Sequence, residues 1–173
     1  MADKLRELLI WRHAKSDWSN EHISDKDRAL SERGRRNAKK MASWLETQEL
    51  LPDVILCSTA KRAQQTLNRL CKDCDIQTLN LDSLYLADLS TLLAELAKVE
   101  GKRILLIGHN PGLEKLIDYL HTLPSEQSSQ IKLLPTAAIA HFVMPADWSN
   151  LERGDGKMVS ITRPKDIQNP PSS

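Results

Sequence analysis

The sequence has no surplus of charge: 24 basic side chains stand against 23 acidic ones, for a net charge of +1. A chain so balanced has no broad positive field to hold nucleic acid, so any anion must be gripped locally, in a pocket. Long apolar runs are missing too. The first run covers only Leu8 to Trp11, short of the roughly 7–15 apolar residues in a signal peptide. The longest uncharged stretch, Leu133 to Ala146, contains Pro135 and Pro145 and falls below the ~20 residues of a membrane span. These absences predict a soluble, cytoplasmic protein with no nucleic-acid or membrane partner. The cysteines, Cys57, Cys71 and Cys74, are odd in number, which suits a reducing compartment. "CKDC" at Cys71 to Cys74 has redox-like spacing, but no second pair and no flanking histidine completes a zinc site. It is expected to be the late turn of an amphipathic helix, with both thiols on the face of Leu67 and Leu70.

What is present is a globular balance of 40% hydrophobic and 27% charged residues, in a length that suits one domain. Helical stripes run through Ala38, Met41, Ala42 and Leu45; through Ala63, Leu67, Leu70 and Cys71; through Leu89, Leu92, Leu93 and Leu96; and through Leu113, Leu116, Ile117 and Leu120. Between them lie "LLIW", "VILC" and "ILLIG", continuous apolar runs of the kind found in strands covered on both faces, with a shorter strand around "IQTL". Strand and helix alternate, which predicts an α/β fold with a mostly parallel sheet between helix layers. Near the end, "AAIAHFVM" and "KMVSITR" flank Gly154-Asp155-Gly156 and predict an antiparallel hairpin. The expectation is a single domain over residues 1–166, with 167–173 a flexible tail.

In such a sheet, ligands bind beyond the carboxyl ends of the strands. Arg12 and His13 follow "LLIW". Ser58 follows "VILC", with Arg62 in the first turn of the next helix. His109 follows "ILLIG", in "GHNPG", where Asn110 is placed to cap the next helix and Pro111 to start it. Three strand exits thus bring two arginines and two histidines to one edge. Arginine binds phosphate oxygens in bidentate fashion, helix N-termini favour anions, and histidine serves as a nucleophile or donor near neutral pH. The set suits phosphoryl transfer without a metal. His22, His121 and His141 lack a comparable setting and are read as ordinary residues.

"LLIWRHAKSDW", "DRALSERGRRNAKKMASWL", "CSTAKRAQQT", "GHNPG" and "LLPTAAIA", in this order, resemble the histidine phosphatase superfamily, the phosphoglycerate-mutase-like fold, and within it the SixA-type phosphohistidine phosphatases. The resemblance implies a three-layer α/β/α sandwich, with His13 as the nucleophile that becomes transiently phosphorylated. Arg12, Arg62 and His109 would complete the phosphate pocket, with Ser19 and Asn110 as further contacts. It also implies that no metal or other cofactor is needed, and that the partner is a phosphorylated protein such as a phosphohistidine-carrying phosphotransfer domain.

Two departures from the wider family bear on the substrate. The Gly, Glu and Asn that follow the Arg-His pair in mutase-type relatives are Ala14, Lys15 and Ser19 here. The acidic residue after the third strand, which protonates an alcohol leaving group, is replaced by Leu86; the nearest acid, Asp88, is suited instead to cap the next helix. An alkoxide leaves badly without a proton, whereas the imidazole of a phosphohistidine leaves far more easily. The pattern therefore favours P–N cleavage on a protein. A small-molecule phosphomonoesterase using Asp88 or water as the acid, or a phosphate-binding module without turnover, are the alternatives.

Overall fold

The computed structural model describes residues 5–122 and 133–167. β1 (Arg6–Arg12), β2 (Val54–Ser58), β3 (Gln77–Leu81), β4 (Arg103–Gly108), β5 (Ile139–Met144) and β6 (Lys157–Thr162) form one sheet in the order β3-β2-β4-β1-β5-β6. The first four positions in that order are parallel; β5 runs antiparallel to β1, and β6 antiparallel to β5. The helices are α1 (Glu32–Thr47), α2 (Lys61–Asn68), α3 (Leu89–Ala97) and α4 (Gly112–His121).

The continuous apolar runs have the expected cause. Side chains alternate between faces along a strand, so a strand covered on both sides must be apolar at every position. Leu8, Ile10, Leu56, Ile104 and Leu106 point to one face, where Leu92 and Leu96 of α3 and Leu113, Leu116, Ile117 and Leu120 of α4 cover them. Leu9, Trp11, Ile55, Leu105 and Ile107 point to the other, under Ala38, Met41 and Leu45 of α1 and Ala63 and Leu67 of α2. The result is three layers with a core on each side of the sheet.

Four details differ from the sequence reading. α2 stops at Asn68, so Cys71 and Cys74 lie beyond it rather than in its last turn. The chain bends there until the two Cα atoms are 5.2 Å apart, within reach of a disulfide, and the thiols are joined. The expected late helical turn is therefore replaced by a bend closed on itself, while Cys57 is free and buried. The hairpin pairs as expected, but residues 145–156 connect it by a long return instead of a tight turn. That return buries Trp148 and anchors the Gly154 and Gly156 amides on the Tyr119 and Leu120 carbonyls. Asn110 does not cap α4; Pro111 holds the cap position. Finally, Ile167 packs on the core beside α1, so it is no part of a tail; residues 168–173 lie outside the described residues. Among the described residues, no helix is long and apolar enough to cross a membrane.

Candidate active site

Strand register brings the site together. Arg12 of β1 pairs with Gly108 of β4, and Cys57 of β2 with Ile107, so three neighbouring strands end at one level. His13 and His109, which follow β1 and β4, and Ser58, the last residue of β2, emerge side by side. The His13 amide donates to the Gly108 carbonyl at 3.2 Å, and the His13 and His109 rings stand 5.1 Å apart between centroids. The first turn of α2 adds Arg62 between them. His13, Arg62, His109 and Ser58 are all buried.

The chain after β1 is fixed closely. The Ala14 amide donates to Thr66 Oγ1 at 3.0 Å, and the Lys15 carbonyl accepts from the Ser31 amide at 2.9 Å. Gly34, in the first turn of α1, passes so close to this segment that a Cβ there would lie 2.1 Å from the Lys15 carbonyl oxygen. Only glycine permits that approach.

The hydrogen bonds assign the imidazole tautomers. A carbonyl can only accept, so His13 Nδ1 carries the proton that it shares with the Ala14 carbonyl at 2.7 Å. His13 Nε2 is left with its lone pair, facing Nε of Arg62 at 3.4 Å. A guanidinium can only donate, so His109 Nδ1 accepts from Arg62 Nη2 at 3.4 Å. The remaining His109 proton sits on Nε2, bonded to Ser58 Oγ at 2.8 Å. Both rings are neutral. Burial pushes His13 down to about 4, opposed by the Ala14 carbonyl and helped by Arg62 and Arg12. Burial, then His13 and Arg62, push His109 down to about 3.

His13, Arg62 and His109 line a cavity of about 420 Å3. Arg12 reaches it from the end of β1. Its Nη1 is tied to the Leu134 carbonyl at 3.1 Å, and its buried Nε has no hydrogen-bond partner among the described residues. A buried N–H without a partner is costly in an apolar site and suited to an oxyanion. Asn110 also lines the cavity, but its amide donates to the same Leu134 carbonyl at 3.0 Å and so ties down the wall.

Ser19 is not brought in. It is exposed, with its amide held by Asp17, while Ser16, largely buried and bridged to Leu30, faces the cavity three residues earlier. Trp18 still lines the cavity, but Ser19, next to it, does not. Leu86 does reach the rim, and Asp88 does not: it caps α3, accepting from the Thr91 amide at 2.9 Å. His22, His121 and His141 stand apart from the cavity, and His141 pairs with Glu7 at 2.6 Å.

Two participants were not visible in the sequence. Asp25 offers its carboxylate to Arg62 Nη2 at 3.0 Å and its carbonyl to Nη1 at 2.6 Å. Tyr85 donates its hydroxyl to the same carboxylate and sets its ring edge-on to His109. The Tyr85 hydrogen bond, opposed by burial and helped by Arg62, holds the Asp25 carboxyl below its ordinary range. Asp25 opens a single 3-10 turn, Asp25–Asp27, too short for any periodicity to mark it. No group of three or more His, Cys, Asp or Glu is arranged to hold a metal among the described residues.

Residues 8–85 match the profile of the histidine phosphatase superfamily (branch 1). An uncharacterized protein of Mycobacterium tuberculosis is 31% identical over 160 residues, covering 89% of this chain and 99% of the relative. One from Mycobacterium leprae is 29% identical over 162 residues, covering 89% and 99%. Among solved structures, a candidate phosphohistidine phosphatase SixA from Nakamurella multipartitia matches with a TM-score of 0.82 at 25% identity, over 94% of this chain and 98% of that one. The protein histidine phosphatase SixA complexed with tungstate matches with a TM-score of 0.76, also at 25% identity, over 94% and 99%. In sequence and fold together, the chain belongs to the histidine phosphatase superfamily, in its SixA-type branch.

Proposed function

We propose that the protein is a phosphatase that works through a phosphohistidine intermediate on His13 and removes the phosphoryl group from phosphohistidine on a partner protein. The observation that carries this is the tautomer of His13. Its Nδ1–H is held by the Ala14 carbonyl, so the lone pair of a neutral imidazole is presented from Nε2 between two arginines and a second histidine.

The chemistry follows from that arrangement. The phosphoryl oxygens settle against Arg12 and Arg62, with His109 opposite His13. His13 Nε2 attacks phosphorus as the substrate P–N bond breaks, and the substrate ring, already protonated on its other nitrogen, departs as neutral imidazole. The new intermediate has phosphorus on Nε2 and hydrogen on Nδ1, so it is a phosphoimidazolium. Water attack then releases phosphate and returns a neutral ring, a far better leaving group than an imidazolate. Dividing the displacement in two in this way is the usual gain of covalent catalysis. The arginines spread charge from the equatorial oxygens as the transferring group loosens. His109 is neutral beside the cationic arginines, and a bound phosphoryl dianion would reverse that balance and favour its protonation, adding a donor at Nδ1.

The same logic supports a phosphohistidine substrate over an alkyl ester. The rim position suited to a general acid holds Leu86, and Asp88 is turned into a helix cap. SixA, the fold's match at 25% identity, is described as a protein histidine phosphatase, which supports a partner of that kind here.

The experiment is to incubate the protein with a histidine-phosphorylated phosphotransfer domain and quench rapidly. Wild type is expected to release phosphate and to trap an acid-labile phosphoprotein, while His13→Ala does neither and keeps the wild-type circular dichroism spectrum. Normal turnover by His13→Ala would refute the mechanism. Turnover of aryl phosphates but not of the phosphohistidine domain would refute the substrate.

A further inference from the structure

We propose that the groove beside the phosphate pocket is a second anion subsite, which receives acidic side chains flanking the phosphohistidine of the partner; this rests on the protein-phosphohistidine reading above. The groove is a cavity of about 270 Å3 between the start of α1, the segment before β5 and the turn after β6. Lys15, Arg33, Arg163 and Lys165 line it, four cations in a chain whose net charge is only +1. Lys15 and Thr136 line the phosphate pocket as well, so the two cavities adjoin.

Most of this charge is uncompensated. Arg163 is paired with Asp166 at 2.9 Å and Lys165 also faces that carboxylate, but Lys15 and Arg33 form no ion pair among the described residues, so three of the four cations' charge remains uncompensated. Glu32, next to Arg33, pairs with Arg36 on the far side of the turn at 3.6 Å. Grouped like charges repel one another, and an opposing anionic surface relieves that repulsion.

The form of the site indicates which anion it takes. The cations come from three separate elements, and Lys15, Arg33 and Lys165 are exposed. A single small phosphate is usually gripped by converging, buried donors, as in the neighbouring pocket. Spread and solvated cations match several carboxylates on a protein face. They steer such a face and fix its orientation more than they add affinity.

Two synthetic peptides phosphorylated on one histidine test this, the first with glutamates around it and the second with glutamines. Wild type is expected to favour the glutamate peptide in kcat/KM by roughly tenfold at low salt, about what two exposed ion pairs provide, with the preference fading as salt rises. Arg33→Gln with Lys165→Gln should abolish the preference and leave turnover of phosphoramidate, which is too small to reach the groove, at the wild-type rate. The same preference is expected in binding of the two peptides to His13→Ala protein, measured by fluorescence anisotropy. Equal use and equal binding of the two peptides by the wild-type groove would overturn the subsite, as would a preference that survives the double substitution. Failure of the substrate assignment is distinct: neither peptide would be hydrolysed, while the binding comparison would still decide on the groove.

Discussion

The Asp25 carboxylate lies 3.0 Å from Nη2 of Arg62, so the phosphate pocket carries an anion of its own. Two fork nitrogens of Arg62, the ones suited to phosphate oxygens, are engaged by one residue of a short 3-10 turn. A phosphoryl group must share Arg62 with this carboxylate or displace it. Tyr85 holds the carboxylate from the other side and keeps it charged.

Neutralising that anion should therefore tighten oxyanion binding. Asp25→Asn retains the shape and the backbone carbonyl contact, and is expected to bind tungstate roughly 3–10-fold more tightly, the scale of one partly exposed charge. Calorimetric titration measures it directly. Weaker binding by the variant would mean that Asp25 chiefly positions Arg62, and the competition argument would fall.

The two buried histidines set how activity and stability respond to acid. His13 is held down to about 4, so it remains a neutral nucleophile at and below neutral pH. Its protonation should limit kcat/KM only as pH falls towards about 4, once substrate ionisation is allowed for. Stability follows a wider window. In the unfolded chain these histidines take up protons near 6.5, while in the fold they do so near about 4 for His13 and about 3 for His109. Between those values the unfolded state binds more protons, so stability present above about pH 6.5 is lost as pH falls, by up to about 1.4 kcal/mol per pH unit for each group. Thermal melts of wild type and His13→Ala between pH 7 and pH 4 should show a shallower decline in the variant. Parallel declines would show that His13 burial does not drive the acid sensitivity.

Sheet and helices were legible because their causes are local and periodic. Leu8 to Trp11 must be apolar throughout to lie between two helix layers, and Leu113, Leu116, Ile117 and Leu120 must share one helix face. His13 and His109 were legible because histidines at the ends of two buried runs, beside arginines at the same sheet edge, have few purposes. Asp25 and Tyr85 were not: they meet Arg62 only through the fold, from the start and the end of single 3-10 turns whose spacing encodes nothing. Ser19 misled for a related reason, since it is left exposed with its amide taken up by Asp17, which no spacing announces. The cysteine spacing misled because the end of α2 at Asn68 is marked by neither glycine nor proline.

Leaving-group selectivity is the property on which this pocket should differ most from one equipped with a general acid. Leu86 stands on the rim, 54% exposed, where it has no proton to offer. Asp25 is the only carboxylate lining the pocket among the described residues, and it is held ionised. Asp88 is exposed and occupied with the Thr91 amide and the Ser90 hydroxyl. An alkyl phosphate therefore loses the assistance of about 10²–10⁴-fold that a positioned acid supplies, whereas phosphohistidine and aryl phosphates need little of it. The protein should hydrolyse phosphohistidine and activated aryl esters well and glycerol phosphate feebly. Leu86→Glu should raise the alkyl-ester rate selectively, by an amount that falls off at high pH as the new carboxyl ionises. Asp88→Asn should leave every rate near wild type, because asparagine also caps a helix. If Asp88→Asn instead stops phosphohistidine hydrolysis as completely as His13→Ala, Asp88 moves into the pocket during turnover and supplies the proton that this static arrangement denies it.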